Sequence, residues 1–297
     1  MQIRKSAAPI GAEVFDVDLS KGLDEAGFND AIDALHQNEV IVFRGQKLTT
    51  AQQIAFSRRL GDLDVNVRSE FNKDGHPEVL VLSNIQKDGK PIGVVDAGRF
   101  WHTDLCYLPR PARATLLYAL EVPMNGAEPL GDTLFSSMTR AYDALPERMK
   151  LRLDGLRAVH SYRYTYEQKA RHFKLRPNLE QRGTAWLPPD VVHDVVRRHP
   201  ATGRKCLYVN EGYTTRIVGL PKDESDALLK ELEAHAVLPQ FRYTHKWQVG
   251  DLLIWDNCAV LHKAVPNYAL PQRRLIERTT ALGPASVGVL ASAVEGA

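Results

Sequence analysis

From about residue 79 the chain breaks into short β-rich runs, at 79–85, 92–95, 100–107, 115–121 and 133–136, divided by Gly and Pro. Many short strands with turn signals between them build a sandwich or a barrel. Leu156 to Tyr162 reads as another strand, and further strands are expected at 206–209, 240–243, 251–256, 259–264 and 274–282. Residues 1–20 look like a strand pair or sheet edge, and Val40-Ile41-Val42-Phe43 is a buried strand. Helices flank this core. Residues 24–37 carry Phe28, Ile32 and Leu35 on one stripe. Thr49 or Thr50 caps a helix bearing Ile54, Phe56 and Leu60, closed by Gly61. Residues 137–153 read as helical, with Pro146 starting the second half, and 222–236 follow Pro221 with Leu228, Leu229, Leu232 and Ala236 as the stripe. The chain is expected to be mainly β with flanking helices, one domain over 1–297. The polar, weakly periodic segment 163–194 reads as a lid insertion or a solvated loop. The tail from Gly283 is expected to fray.

Composition narrows the partners. The net charge is +2, from 38 basic and 36 acidic residues, which is no footprint for nucleic acid or an acidic membrane. No apolar run is long enough to span a membrane, and Met1-Gln2-Ile3-Arg4-Lys5 is not followed by a signal-peptide core. Cys106, Cys206 and Cys258 have no CxxC spacing. An odd, sparse set argues for a reducing compartment, and a cytoplasmic protein is expected.

Trp101-His102-Thr103-Asp104 carries the chemistry. On a strand His102 and Asp104 would project the same way, close enough to bind one metal ion. A surface His beside an Asp has the same pattern, so a third ligand matters. His262 is the best candidate, because two His and one carboxylate with open positions opposite form the ligand set of non-haem Fe(II) oxygenases. In Arg273-Arg274-Leu275-Ile276-Glu277-Arg278, strand alternation sets Arg274 and Arg278 on one face. Facing inward, each would require an anion. Alternation alone does not decide which face is core.

Together with Gly131-Asp132-Thr133-Leu134-Phe135, Trp255-Asp256-Asn257 and Pro271-Gln272-Arg273-Arg274, these residues carry a resemblance to the taurine dioxygenase and 2,4-dichlorophenoxyacetate dioxygenase (TauD/TfdA) family. It runs from about Ala12 to Gly283. The resemblance implies a double-stranded β-helix (jelly roll, cupin-like) and an Fe(II)- and 2-oxoglutarate-dependent dioxygenase. It matches His102, Asp104 and His262 to the iron ligands, Arg274 and Thr133 to the 2-oxoglutarate carboxylate, and Arg278 to an acidic group on the substrate. Oxidative decarboxylation to succinate and CO2 would be coupled to hydroxylation by O2, with C–O, C–N or C–S cleavage where the carbon carries a heteroatom. Family members are often homodimers or homotetramers.

The substrate region departs from the taurine enzymes. Asn66, Ser69 and Gly98 stand where those have polar His, Tyr and Asn groups, which argues against taurine. Asn66 and Ser69 are candidate substrate contacts, and 64–100, with Arg68, Phe71 and Arg99, is expected to set specificity. A small organic carboxylate, rather than a sulfonate, is the expected substrate. The His262 to Arg274 spacing is one residue long, making Arg273 the runner-up for the oxoglutarate role. Cys106 shares the strand parity of Asp104 and could lie near the metal, but reads better as a small core residue. His160 reads as structural, and Asp256 and Asn257 either orient His262 or shape the turn. The rivals are a zinc hydrolase or isomerase on the same residues, and a non-catalytic binding protein.

Overall fold

Val40-Ile41-Val42-Phe43 is buried along its whole length, which requires a sheet covered on both sides. In the computed structural model Val40 and Val42 join one apolar layer with Leu117, Ala119, Leu253, Trp255 and Ile276. Ile41 and Phe43 join another with Leu116, Tyr118, Leu252 and Ile254. Alternate residues of each strand thus feed opposite cores. The structure describes residues 1–297 except 66, 174–178, 180–182, 285–286 and 296–297.

The large sheet has eight strands, ordered Gln2–Lys5, Ala12–Phe15, Val40–Phe43, Leu252–Asp256, Ala112–Glu121, Leu275–Leu282, His76–Ser83 and Asn72–Lys73. On its outer face lie the helices Glu25–Asn38 and Thr50–Arg58, packed through Phe28, Ala31, Leu35 and Phe56. Asp24 caps the first, accepting from Gly27 N. Thr49 rather than Thr50 caps the second, in a reciprocal box with Gln52.

A three-stranded sheet, Arg242–His245, Thr133–Ser137 and Val260–Ala264, covers the inner face. Phe135 and Val260 enter the layer shared with Trp255 and Ile276. Leu134 and Leu261 point away, against Met138, Leu228, Leu229 and Leu232 of the outer helices. Two sheets face to face with helices outside form the expected jelly roll.

Several local expectations need correction. The run 100–107 is not a strand: only His102 makes a bridge, and the chain turns over 104–107, with Leu105 at φ 53°. The run 92–95 contributes one bridge, Leu82 to Val94. Residues 137–153 are helical as expected, in two pieces, Met138–Asp143 and Glu147–Leu153, with Pro146 at the start of the second. The segment 163–194 opens in a helix, Tyr162–Phe173, and closes in a strand, Val191–Asp194, while 174–178 and 180–182 lie outside the described residues. The tail gains a strand, Val289–Leu290, by adding to the edge at Val191 and Val192.

Candidate metal and co-substrate site

The small sheet supplies one wall of the site. Thr133 pairs with Ala264 and Phe135 with His262, so all four share the inward face. His102 extends this sheet by one residue: its N–H donates to His262 O at 3.1 Å, and His262 N–H donates back to His102 O at 2.8 Å. Residues that exchange both bonds present side chains on one side, and the two imidazoles lie 4.1 Å apart.

Asp104 reaches the imidazoles by a turn rather than by strand parity. Its N–H, lost to any ladder, donates to Asn257 Oδ1 at 3.1 Å. Its Oδ1 stands 3.7 Å from His102 Nε2, and its Oδ2 stands 3.7 Å from His262 Nε2. One ligand atom from each of the three residues lies within 4.8 Å of the other two.

The protonation states suit a divalent cation. Burial raises the Asp104 carboxyl, but Arg278, then His262 and His102, and the Thr115 hydroxyl outweigh it and hold it at about 2. Burial, helped by His102, pushes His262 well below the usual histidine range, so it is neutral. His102 Nδ1 lies 2.9 Å from Phe100 O and 3.1 Å from His262 O. That nitrogen therefore carries a proton, and Nε2 is the ring atom that faces Asp104. Two imidazoles and one carboxylate fit Fe(II).

Beyond this cluster a cleft that opens to solvent runs past Thr133 to Arg274. Arg274 is 6% exposed, donates to Gly131 O at 2.6 Å, and lies 5.5 Å from the Trp247 and Tyr268 ring centres. Among the described residues it makes no ion pair. A buried guanidinium facing a cavity without an anion fits a ligand carboxylate. Thr133 Oγ1 accepts from Trp247 Nε1 at 3.1 Å, which turns its own proton toward other acceptors. Gly131 is required here: its φ is +76°, and a Cβ would stand 2.3 Å from Arg274 Nη1.

On the other side of His102 an adjoining cavity is bounded by Arg278, Arg68, Tyr107, Tyr162 and Tyr213. Tyr107 packs 4.8 Å from Tyr162 and 5.0 Å from Tyr213. Arg278 borders both cavities, with Nη2 3.1 Å from Asp104 Oδ1. Arg274 and Arg278 thus do face inward, with the buried Ile276 between them.

Other expected residues fall elsewhere. Asn66 lies outside the described residues. Ser69 is exposed and borders neither cavity. Arg273 pairs with Glu121 at the surface, 2.9 Å away, which leaves the buried role to Arg274. Cys106 is buried beside Asn210 Nδ2 at 3.6 Å, a core residue. His160 is fully buried among His193 and Tyr208. Asp256 holds His199 Nε2 at 2.6 Å, and Asn257, not Asp256, reaches the site. His36, His199 and Asp256 also sit within metal-binding reach of one another. However, His199 Nδ1 accepts from Ala201 and Thr202 N–H groups, and Nε2 donates to Asp256, so neither nitrogen is free. Thr115, Trp247, Tyr268 and the three tyrosines were not anticipated.

A jelly roll carrying inward His, Asp and His beside a buried arginine defines the non-haem iron, 2-oxoglutarate class. The comparisons agree. Residues 2–280 match the family described as taurine catabolism dioxygenase TauD, TfdA family. The chain is 36% identical over 287 residues to an alpha-ketoglutarate-dependent 2,4-dichlorophenoxyacetate dioxygenase of Cupriavidus pinatubonensis, covering 93% of this chain and 96% of that one. It is 34% identical over 281 residues to pentalenolactone F synthase of Streptomyces arenae, covering 93% of each. The crystal structure of AAD-2 with Mn(II) and N-oxalylglycine superposes with a TM-score of 0.78 at 30% identity, covering 96% of this chain and 98% of that one. The chain belongs to the TauD/TfdA family and is a 2-oxoglutarate-dependent, non-haem iron dioxygenase. No helix among its described residues is long and apolar enough to cross a membrane.

Proposed function

We propose that the enzyme hydroxylates a small organic acid with a ring or comparably flat apolar body, at a carbon held beside His102 and Asp104. The observation that carries this reading is the wall of the second cavity, where Arg68 and Arg278 face Tyr107, Tyr162 and Tyr213. Among the described residues lining that wall Asp104 is the one carboxylate, and it belongs to the metal cluster. Arg68 also pairs with Glu70 at 2.6 Å, so Arg278 is the main candidate for the acid group. A carboxylate meets a guanidinium fork bidentately, and tyrosine rings supply apolar surface at little entropic cost.

His102, Asp104 and His262 hold iron in this reading, and Arg274 with Thr133 holds the distal carboxylate of 2-oxoglutarate. Bound iron with 2-oxoglutarate supplies the O2-dependent oxidation, with release of succinate and CO2. The protein's own part is placement. Arg278 fixes the acid group, the tyrosines fix the body, and only carbons near the shared rim of the cavities are presented. His102, Asp104 and His262 are 5%, 4% and 6% exposed, so bulk water is largely kept out. Thr165, near the start of the 163–194 segment, forms part of the wall beside Tyr162, the residue just before it, which supports a lid role for that segment. Where the hydroxylated carbon carries oxygen, nitrogen or sulfur, the product would collapse with bond cleavage. The zinc hydrolase reading leaves buried Arg274 without a partner.

The test is succinate release with Fe(II) and 2-oxoglutarate across a panel of aryl, aryloxy and aliphatic carboxylates, each paired with its primary amide. Acids should be turned over and amides rejected, and Arg278→Ala should erase the difference. Equal turnover of amides by the unaltered enzyme would overturn the reading.

A further inference from the structure

Asp104 is held by two buried side chains, Thr115 on the large sheet and Asn257 just past its strand Leu252–Asp256. Thr103 Oγ1 donates to the Asn257 backbone carbonyl at 2.7 Å, while Asn257 Oδ1 accepts from Asp104 N at 3.1 Å and from Trp255 Nε1 at 3.0 Å. Those donors fix the orientation of the amide, so its NH2 must face the other way. There Nδ2 donates to Thr115 Oγ1 at 2.9 Å. Thr115 can then only donate onward, and its acceptor is Asp104 Oδ2 at 2.7 Å. The direction of every proton in this chain is set: amide to hydroxyl to carboxylate. Thr115 is 0% exposed and Asn257 is 1% exposed, so no water substitutes for either.

Neither end of the relay is free to shift. Thr115 pairs with Trp255 on one neighbouring strand and with Thr280 on the other. Asn257 follows directly on the strand Leu252–Asp256, and its N–H donates to Arg113 O at 2.9 Å. The turn that carries Asp104 has no such ladder, and beyond this relay its carboxylate meets, among the described residues, Arg278 and the two imidazoles. The sheet thus anchors a carboxylate that is carried on a turn rather than on a strand.

We propose that Thr115 and Asn257 are positioning residues for the metal. They hold the Asp104 carboxylate in its metal-binding orientation before the ion arrives and occupy one lone pair of Oδ2, so that the loop is not ordered at the expense of metal affinity. The proposal rests on Asp104 being a ligand, and the test separates the two ideas.

The experiment is calorimetric titration of the metal-free protein with Co(II), alongside thermal unfolding of the same metal-free samples. Thr115→Val removes the hydroxyl at nearly constant volume and should weaken Co(II) binding about 10–100-fold. Thr115→Ser restores the donor and should bind within about threefold of the parent protein. Thr115→Ala carries the expectation of the Val variant should that one misfold. Parent-like affinity in Thr115→Val, with binding abolished in Asp104→Ala, would overturn the proposal and leave the metal site standing. So would a fall in metal-free stability at unchanged affinity, the mark of a merely structural bond. Parent-like affinity in Asp104→Ala would remove the metal site and the proposal together.

Discussion

Arg274→Met separates the co-substrate from the metal. The guanidinium is nearly fully buried, its donor to Gly131 O satisfies one N–H, and the remaining donors face the cavity. A bidentate contact with a carboxylate makes two charge-assisted hydrogen bonds of about 1.5–3 kcal/mol each. Their loss amounts to roughly 3–6 kcal/mol, or about 10²–10⁴ in 2-oxoglutarate affinity. Met keeps an unbranched apolar side chain against Trp247 and Tyr268, so the walls of the cavity persist. It also removes a buried cation with no anionic partner among the described residues, so the metal-free protein should be no less stable than the parent. The assay is succinate production against 2-oxoglutarate concentration, with Co(II) affinity measured separately. KM for 2-oxoglutarate should rise by at least about 10², while metal affinity stays at the parent value. An unchanged KM, or loss of metal binding, would refute the assignment of Arg274.

Two further outcomes follow from neighbouring geometry. Gly131→Ala drives a Cβ to 2.3 Å from Arg274 Nη1 at a φ of +76°, so it should raise KM for 2-oxoglutarate in the same direction, and combined with Arg274→Met it should add little. Glu233 is pushed up to about 7 by burial and by Glu211. A carboxyl raised in the folded state holds its proton more tightly there than in the unfolded chain, so stability falls as pH rises from about 4.5 to about 7; Glu233→Gln should raise the thermal midpoint at pH 8 and leave it unchanged at pH 4, and an equal shift at both would contradict this.

The sequence made some of this site legible and hid the rest for physical reasons. Strand alternation places Arg274 and Arg278 on one face but leaves open whether that face is core, and His262 is singled out by ligand chemistry and the family resemblance. The structure puts all three on inward faces of or beside the strands Val260–Ala264 and Leu275–Leu282. His102 and Asp104 converge, but by a turn at Leu105 that period-two reasoning does not anticipate. The tyrosine wall joins Tyr107, Tyr162 and Tyr213, separated by about fifty residues each, so no local pattern could have assembled it. Thr115 reads in sequence as an ordinary strand residue, and only the register against Trp255 puts it beneath Asp104. Ser69 was expected from an analogy of position, and a single turn of 3-10 helix leaves it exposed. Trp247 and Tyr268, which flank Arg274, come from connecting segments with no periodicity to read.

The most direct test of the central claim is an anaerobic visible spectrum of the metal-free protein after addition of Fe(II) and then 2-oxoglutarate. A metal-to-ligand charge-transfer band that appears with the second addition, and is absent in His102→Ala, is the predicted result. Bound iron with no band on adding 2-oxoglutarate would contradict it.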